Sequence, residues 1–370
     1  MLSKFFRFIK KEAVLSTAGI LAVISSFIVR PSREYISYID FRVLSLLFCL
    51  MLVVAGLQSI GLFHNLAAVL LRGVTSSRRL ILLLVSLCFF SSMLITNDVA
   101  LITFVPFTVM ILSMANKKEL LIPVISLQTI AANLGSMLTP IGNPQNLYLS
   151  STYNISIGDF LLTMLPLTMA SFVLLVAAVF LIKETAITIP DAPQVKTMPK
   201  FRLVSFGILF IVCLLCVIRI LDYRIMFLIL VLGIALTDKS LFKKADYFLL
   251  LTFVFFFIFI GNMERIPSVA NILNTLVRGR EFYLGVLLSQ FISNVPAAFL
   301  LSGFSGQWKP LLYGVNIGGL GTLIASLASV ISYRAYAGTK DSKNGSYMLT
   351  FTVYNIVFLA ILSFMAVLLL

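Results

Sequence analysis

Two stretches of this chain share a plan that few folds accommodate. Ser92-Met93-Leu94-Ile95-Thr96-Asn97-Asp98 sits inside an apolar run, and Ser289-Gln290-Phe291-Ile292-Ser293-Asn294-Val295 repeats its plan in the second half. The shared element is a serine, three residues, a second hydroxyl and then an asparagine. Each copy is followed by a second polar break. The first runs Gly135-Ser136-Met137-Leu138-Thr139-Pro140-Ile141-Gly142-Asn143-Pro144, the second Gly321-Thr322-Leu323-Ile324-Ala325-Ser326-Leu327-Ala328-Ser329. Polar, helix-breaking residues are costly at membrane depth, so paired breaks in corresponding places point to a binding site.

Composition supplies the membrane. Hydrophobic residues make up 60% of the chain and charged ones 11%, and the mean hydropathy is +1.07. Apolar runs recur throughout, many approaching the roughly 20 residues that a spanning helix needs. The longest connection, about Glu184 to Arg202, is too short to fold alone, so no soluble domain is expected. A basic cluster (Lys4, Arg7, Lys10, Lys11) precedes the first apolar run. No small-residue cleavage site follows it and Arg30-Pro31 ends the run, so it reads as a retained first helix rather than a secretory leader.

The net charge of +14 would suit a nucleic-acid binder. Lys and Arg instead sit in short connections, neither interleaved with exposed aromatics nor gathered on one soluble face, so no nucleic-acid partner is expected. Most of the 28 basic residues fall in connections that a cytoplasmic N-terminus places inside. That is the positive-inside pattern of a multi-pass protein of the cell membrane, with the C-terminus outside. Cys49, Cys88, Cys213 and Cys216 lie in apolar segments; Cys213 and Cys216 form a lone C-x-x-C with no second pair, which reads as packing rather than metal or redox chemistry.

Full crossings are expected near 13–29, 41–63, 119–148, 159–183, 203–219, 224–238, 246–263, 309–334 and 347–370. Residues 80–114 and 281–304 are each interrupted by the asparagine motif and bounded by charge, Arg78-Arg79 and Lys117-Lys118 for the first, Arg278, Arg280 and Lys309 for the second. Both read as re-entrant hairpins, tolerated where they are buried in protein or line a cavity. Asp40-Phe41 and Asp246-Tyr247 open matching apolar helices, and an odd number of crossings separates them, so the two halves point opposite ways. The expected fold is an all-α polytopic membrane protein of two inverted-topology repeats. The first covers 1–183, a cytoplasmic linker 184–202, and the second 203–370; each holds a hairpin and a broken helix (119–148 and 309–334). Scaffold helices are expected within 13–63 and 203–263. Secondary transporters are built this way, with the site near the midplane.

Ser92 and Thr96 are four apart and share a face at the C-terminal end of the first half-helix, where unpaired carbonyls concentrate negative charge. Such oxygens suit a small hard cation such as Na+. The half-helix after Asn97 presents free N–H groups suited to an anion, and Asn97 can serve either ion. Ser289, Ser293 and Asn294 repeat the arrangement. Asn143-Pro144 reads as an N-cap with proline at the first helical position, beyond an unwinding at Gly142. Asp98 is the clearest acid at membrane depth, where an ionised carboxylate costs about 2.5–3.5 kcal/mol. It reads either as a cap on the second half-helix or as a coupling group for a cation or proton, and Val295 stands in its place in the other copy. His64 and Trp308 read as interfacial.

At these motifs the chain resembles the ion transporter superfamily, which includes divalent-anion/sodium symporters, citrate transporters, arsenite pumps and a class of sodium/proton antiporters. The residues concerned are Thr96-Asn97-Asp98-Val99-Ala100-Leu101, the run from Gly135 to Asn146, and Ser293-Asn294. The resemblance implies a homodimer in the lipid bilayer, with a fixed scaffold and a transport unit that moves as an elevator. It also implies one Na+ site from Ser92, Thr96, Asn97 and the Gly142 carbonyl, and another from Ser289, Ser293, Asn294 and the Ala328 carbonyl. Asn143 and Ser329 would approach the substrate, with Asn97, Asp98 and Asn294. Asp98 and Val295 depart from the dicarboxylate branch, which has threonines there; the Asn-Asp-x-Ala form is closer to the arsenite-pump and citrate branches.

The function expected is secondary active transport of a small anion, a di- or tricarboxylate, coupled to Na+ or H+ and needing no organic cofactor. An arsenite-type or oxyanion permease, or a sodium/proton antiporter, is the alternative on the same scaffold, and an ion channel a more distant one. One histidine and one buried aspartate supply neither a nucleophile-base pair nor a metal centre, so an enzyme is not expected.

Overall fold

The structure, a computed structural model, describes residues 12–71, 73–187, 195, 197–340 and 342–370. Lys4, Arg7, Lys10 and Lys11, and much of the 184–202 connection, lie outside the described residues. Among the described residues there is no β-strand beyond an isolated bridge between Ser76 and Ala186.

The helices run in the order α1 (Ala13–Ile28), α2 (Tyr35–Tyr38), α3 (Phe41–Ser59), α4 (Leu62–Leu70), α5 (Ser77–Ile95), α6 (Asn97–Met114), α7 (Leu121–Ser136), α8 (Pro144–Thr152) and α9 (Ile157–Phe180). The second half continues with α10 (Lys200–Val217), α11 (Tyr223–Thr237), α12 (Tyr247–Glu264), α13 (Pro267–Val277), α14 (Glu281–Ile292), α15 (Asn294–Ser302), α16 (Trp308–Ile317), α17 (Leu327–Ala337) and α18 (Asn344–Leu369). Among the described residues, 8 helices are long and apolar enough to cross a membrane, and the chain is a multi-pass membrane protein.

Local sequence sets the helix starts. The matching aspartates cap their helices alike: Asp40 accepts the Val43 N–H and Asp246 the Leu249 N–H, both at 2.9 Å. The expected crossing at 41–63 is shorter than its apolar run. It ends at Ser59, because Gly61 takes a left-handed φ of +79° and turns the chain into α4. α13, with Pro267 in its first turn, is a helix where only a connection was expected.

The helices fall into two packed groups. One holds α5–α9 and α14–α18; the other holds α1–α3 and α10–α13. They meet where α3 lies on α8 and α12 on α15, and α4 packs against α3 and α5 between the groups. Aromatic rings line the second contact, with Phe299 facing Phe253, Phe256 and Phe257 of α12 and stacking on Tyr148 at 3.8 Å.

In the first group, α5 and α7 run parallel in close contact. Gln128 Nε2 donates to the Leu84 carbonyl at 3.2 Å, and further along the Thr139 hydroxyl donates to the Met93 carbonyl. α6 returns alongside, so α5 and α6 form a hairpin with its tip at Thr96, level with the break between α7 and α8. Each leg is itself long enough to span, at 19 and 18 residues. The open end of this hairpin lies with Glu184 and Thr185, which pair with Arg78 and Ser77. The second hairpin, α14 and α15, has its open end near Tyr153, whose hydroxyl donates to the Ser305 carbonyl at 2.7 Å. Tyr153 closes the α7–α8 crossing, so the two hairpins open toward opposite ends of the helix bundle.

Candidate functional site

At the first tip α5 ends at Ile95, Thr96 adopts φ 70° and ψ 149°, and α6 starts at Asn97. This backbone region is close to one that belongs almost entirely to glycine, and a β-branched residue there is strained. The tip is docked on the broken helix: Asn97 N–H donates to the Gly142 carbonyl at 3.1 Å. The Asn97 side chain accepts the Asp98 N–H and donates to Asn133 Oδ1, both at 2.9 Å. Ser92 is buried, with its hydroxyl on the Phe89 carbonyl. Past the break Asn143 caps α8, accepting the Asn146 N–H at 2.9 Å with Pro144 beside it, as the Asn-Pro pair predicts.

The second tip repeats the tip conformation and its backbone docking, while Ser326 does not cap α17 with its side chain as Asn143 caps α8. Ser293 has φ 74° and ψ 154°, and Asn294 N–H donates to the Ala325 carbonyl at 2.9 Å. Thr322 Oγ1 donates to the Gln290 carbonyl at 3.0 Å, as Thr139 does to Met93. The buried Ser289 hydroxyl sits on the Gly285 carbonyl at 2.6 Å. The sequence pointed to the Ala328 carbonyl, but the residue in the Gly142 position is Ala325. Ala328 lies within α17, where its carbonyl accepts the Ser332 hydroxyl at 3.2 Å. Ser329 is on the first turn of α17, buried, with no hydrogen-bond partner for its hydroxyl among the described residues.

Asn133 and Asn316 join this site without having been singled out from the sequence, and they bind to Asn146 and Ser326 of the two polar breaks. Asn133 Oδ1 accepts from Asn97 and also from Ser326 Oγ at 3.0 Å. Asn316 Oδ1 accepts from Asn143 Nδ2 at 3.2 Å, while Asn316 Nδ2 donates to Asn146 Oδ1 at 2.7 Å. A signal existed: Asn133-Leu134-Gly135 and Asn316-Ile317-Gly318 are the same Asn-x-Gly. In each, the glycine lets a broken helix approach the hairpin serine. A Cβ on Gly135 would lie 2.6 Å from Ser92 Oγ, and one on Gly318 would lie 2.7 Å from Ser289 Oγ.

The electrostatics come from helix ends. N-termini of α6, α8, α15 and α17 and C-termini of α5, α7, α14 and α16 surround the two tips, offering free N–H groups beside free carbonyls. Segments 92–98, 133–146, 289–296 and 316–329 contain no Lys, Arg or His. Among the described residues no cluster of three or more His, Cys, Asp or Glu could hold a metal ion. Asp98 is half-buried in the first turn of α6; no side chain caps that helix, and the Asp98 carboxylate has no hydrogen bond among the described residues. His64 is set apart, edge-on to Phe107.

Broken helices packed on hairpin tips through a shared polar network, in a chain with 8 helices long and apolar enough to cross a membrane among the described residues, are the construction of a membrane transport protein. The chain belongs to the citrate transporter family, which residues 5–307 match. It is 35% identical over 347 residues to an uncharacterized transporter of Methanocaldococcus jannaschii, covering 93% of this chain and 94% of that one. It is 30% identical to the inner membrane protein YbiR of Escherichia coli, covering 84% of each. A shorter match, 33% identical over 153 residues, is to the silicon efflux transporter LSI3 of Oryza sativa subsp. japonica; it covers 41% of this chain and 31% of the relative.

Proposed function

We propose that this protein is a secondary active transporter of a small anion, a di- or tricarboxylate, coupled to Na+ or H+. The observation that carries the reading is the doubled docking of a hydroxyl-asparagine tip on a broken helix, through Asn97 on Gly142 and Asn294 on Ala325. On this reading the chain is a pair of inverted repeats, 1–183 and 203–370, whose hairpins enter the site from opposite faces. The group of α5–α9 and α14–α18 is the moving transport unit, and the group of α1–α3 and α10–α13 is the scaffold of a homodimer. The aromatic contact between α12 and α15 suits sliding better than an interlocked polar one.

The substrate anion is held by helix N-termini and by the amides of Asn97, Asn143 and Asn294, with Ser329 bringing a free hydroxyl. Ser92, Thr96, Asn97 and the Gly142 carbonyl supply oxygens for one Na+, and Ser289, Ser293, Asn294 and the Ala325 carbonyl for another. Asp98 is the coupling group. The name of the rice relative, together with a site free of cationic side chains, favours one second reading, export of a small weak oxyacid on the same scaffold.

Proteoliposome flux separates these. Na+ and pH gradients are imposed singly against citrate, succinate, arsenite and silicic acid. Gradient-driven citrate or succinate uptake is the expected result. Flux of arsenite or silicic acid with none of either carboxylate would replace the first reading by the second, and a conductance far above transporter turnover would overturn both.

A further inference from the structure

A groove of roughly 440 Å3 lies well away from the tips, between the second half of α6, the start of α7 and the end of α17. Its floor is apolar, made by Pro106, Val109 and Leu121, and its mouth carries Ser113, Lys118 and Lys340. Pro106 is eight residues before the end of α6, so the floor reaches about 12 Å inward along the helix. Having no N–H, Pro106 also removes the helical bond to the Ile102 carbonyl, which loosens this wall.

Two lysines stand together at this mouth. Lys117, next door, pairs with Glu119 at 3.7 Å, but among the described residues neither Lys118 nor Lys340 forms an ion pair. Both are exposed at the end of the bundle that also bears Arg78, Arg79, Lys243 and Lys244. An apolar cleft running inward from the helix ends, with the exposed ammonium groups of Lys118 and Lys340 at its mouth, matches a molecule with an anionic head and a hydrocarbon tail. Basic pockets between spanning helices on the cytoplasmic side bind such lipids.

We propose that this groove is a binding site for an anionic phospholipid, its phosphate between Lys118 and Lys340 and an acyl chain along Pro106 and Val109. A free phosphate ion would leave the apolar floor unused. The occupant ties α6 to α17, the two helices whose opposite ends form the first tip and the second break.

The test uses the full-length protein, delipidated in a neutral detergent and titrated with phosphatidylglycerol, phosphatidylcholine or inorganic phosphate. Native mass spectrometry and the thermal unfolding temperature are the readouts. Phosphatidylglycerol is expected to bind and to raise the unfolding temperature more than phosphatidylcholine does. K118Q/K340Q should weaken phosphatidylglycerol binding about 25-fold, at roughly fivefold per lysine near an anionic headgroup. K118R/K340R, which keeps both charges, should hold binding within about twofold, as should K239Q/K243Q, which removes two lysines elsewhere at the same end. Three results would each overturn the site: phosphate protecting as well as the lipid, no preference over phosphatidylcholine, or equal losses in K118Q/K340Q and K239Q/K243Q.

Discussion

Asn143 donates to Asn316 Oδ1 at 3.2 Å, and the relationship recurs with the halves exchanged, Ser326 donating to Asn133 Oδ1 at 3.0 Å. The residue that opens α8 is thereby tied to α16, and the residue that opens α17 is tied to α7. Each broken helix is held in place by the other half of the chain. Neither tie exposes a charge, so both can persist in a low dielectric without the desolvation cost of an ion pair.

Asn133 has the larger share of this arrangement, because it also accepts from Asn97 at the first tip. Asn133→Ala leaves the Asn97 amide and the Ser326 hydroxyl without partners, at about 1–3 kcal/mol for a buried unsatisfied group. Transport by N133A should fall about tenfold or more, with a lowered unfolding temperature in detergent. Asn271→Ala, on exposed α13, should change neither. Proteoliposome flux and a thermal melt on the same preparations decide it, and wild-type flux in N133A would remove Asn133 from the site.

The close approach at the serines gives a sharper steric prediction. A Cβ on Gly135 would sit 2.0 Å from the Phe89 carbonyl oxygen, whereas one on Gly207 meets nothing within 4 Å. Gly135→Ala must push α7 from α5, a rearrangement that costs typically 1–3 kcal/mol and displaces Ser92 from the site. Gly207→Ala, in the middle of α10, should be neutral or stabilising by up to about 1 kcal/mol. Folded yield and thermal unfolding of the two variants, measured side by side, check the contrast.

Much of this was legible in the residues themselves. The tips announced themselves because a hydroxyl and an asparagine recur at one spacing inside apolar runs, and Asn143-Pro144 marked a helix start because both residues favour that position for backbone reasons. Asn133 and Asn316 did not stand out, since a single amide in an apolar helix looks like any helix-helix contact. The second break hid its phase for a different reason. It lacks the prolines that mark the first, so nothing in the sequence separates Ala325 from the Ala328 that the resemblance implies. The amide of Asn294 settles on Ala325 only when the hairpin docks, which is a tertiary event. α4 escaped notice because its residues extend the apolar run of α3 without a break in composition; Gly61 alone turns the chain.

The tips hold Thr96 and Ser293 at φ 70° and 74°, where a non-glycine residue costs of order 1–3 kcal/mol. Glycine would relieve the strain, and on the proposed reading the two hydroxyls are there to hold the cation. Thr96→Gly should raise the unfolding temperature, or leave it unchanged, while lowering Na+- or H+-driven flux at least about tenfold. Thr96→Ser should keep most of the flux. A glycine variant that transports as well as the parent would show the hydroxyl to be dispensable.

Asp98 is where the two tips differ most, since the second copy has Val295. Its carboxylate lies in the first turn of α6 with no hydrogen bond among the described residues, near the positive end of a helix dipole that favours the ionised form. On the proposed reading the carboxylate sits at membrane depth and keeps its charge beside a bound cation or gives it up to a proton. On that reading Asp98 ties flux to the driving cation, and Asp98→Asn should abolish that dependence. Exchange of substrate at equal concentrations on both sides should survive in D98N within about threefold, because exchange needs the binding site but no net coupling. Gradient-driven accumulation should be lost. Both assays run on the same proteoliposomes, and accumulation by D98N with an unaltered pH and Na+ profile would assign coupling to the serine and threonine hydroxyls alone.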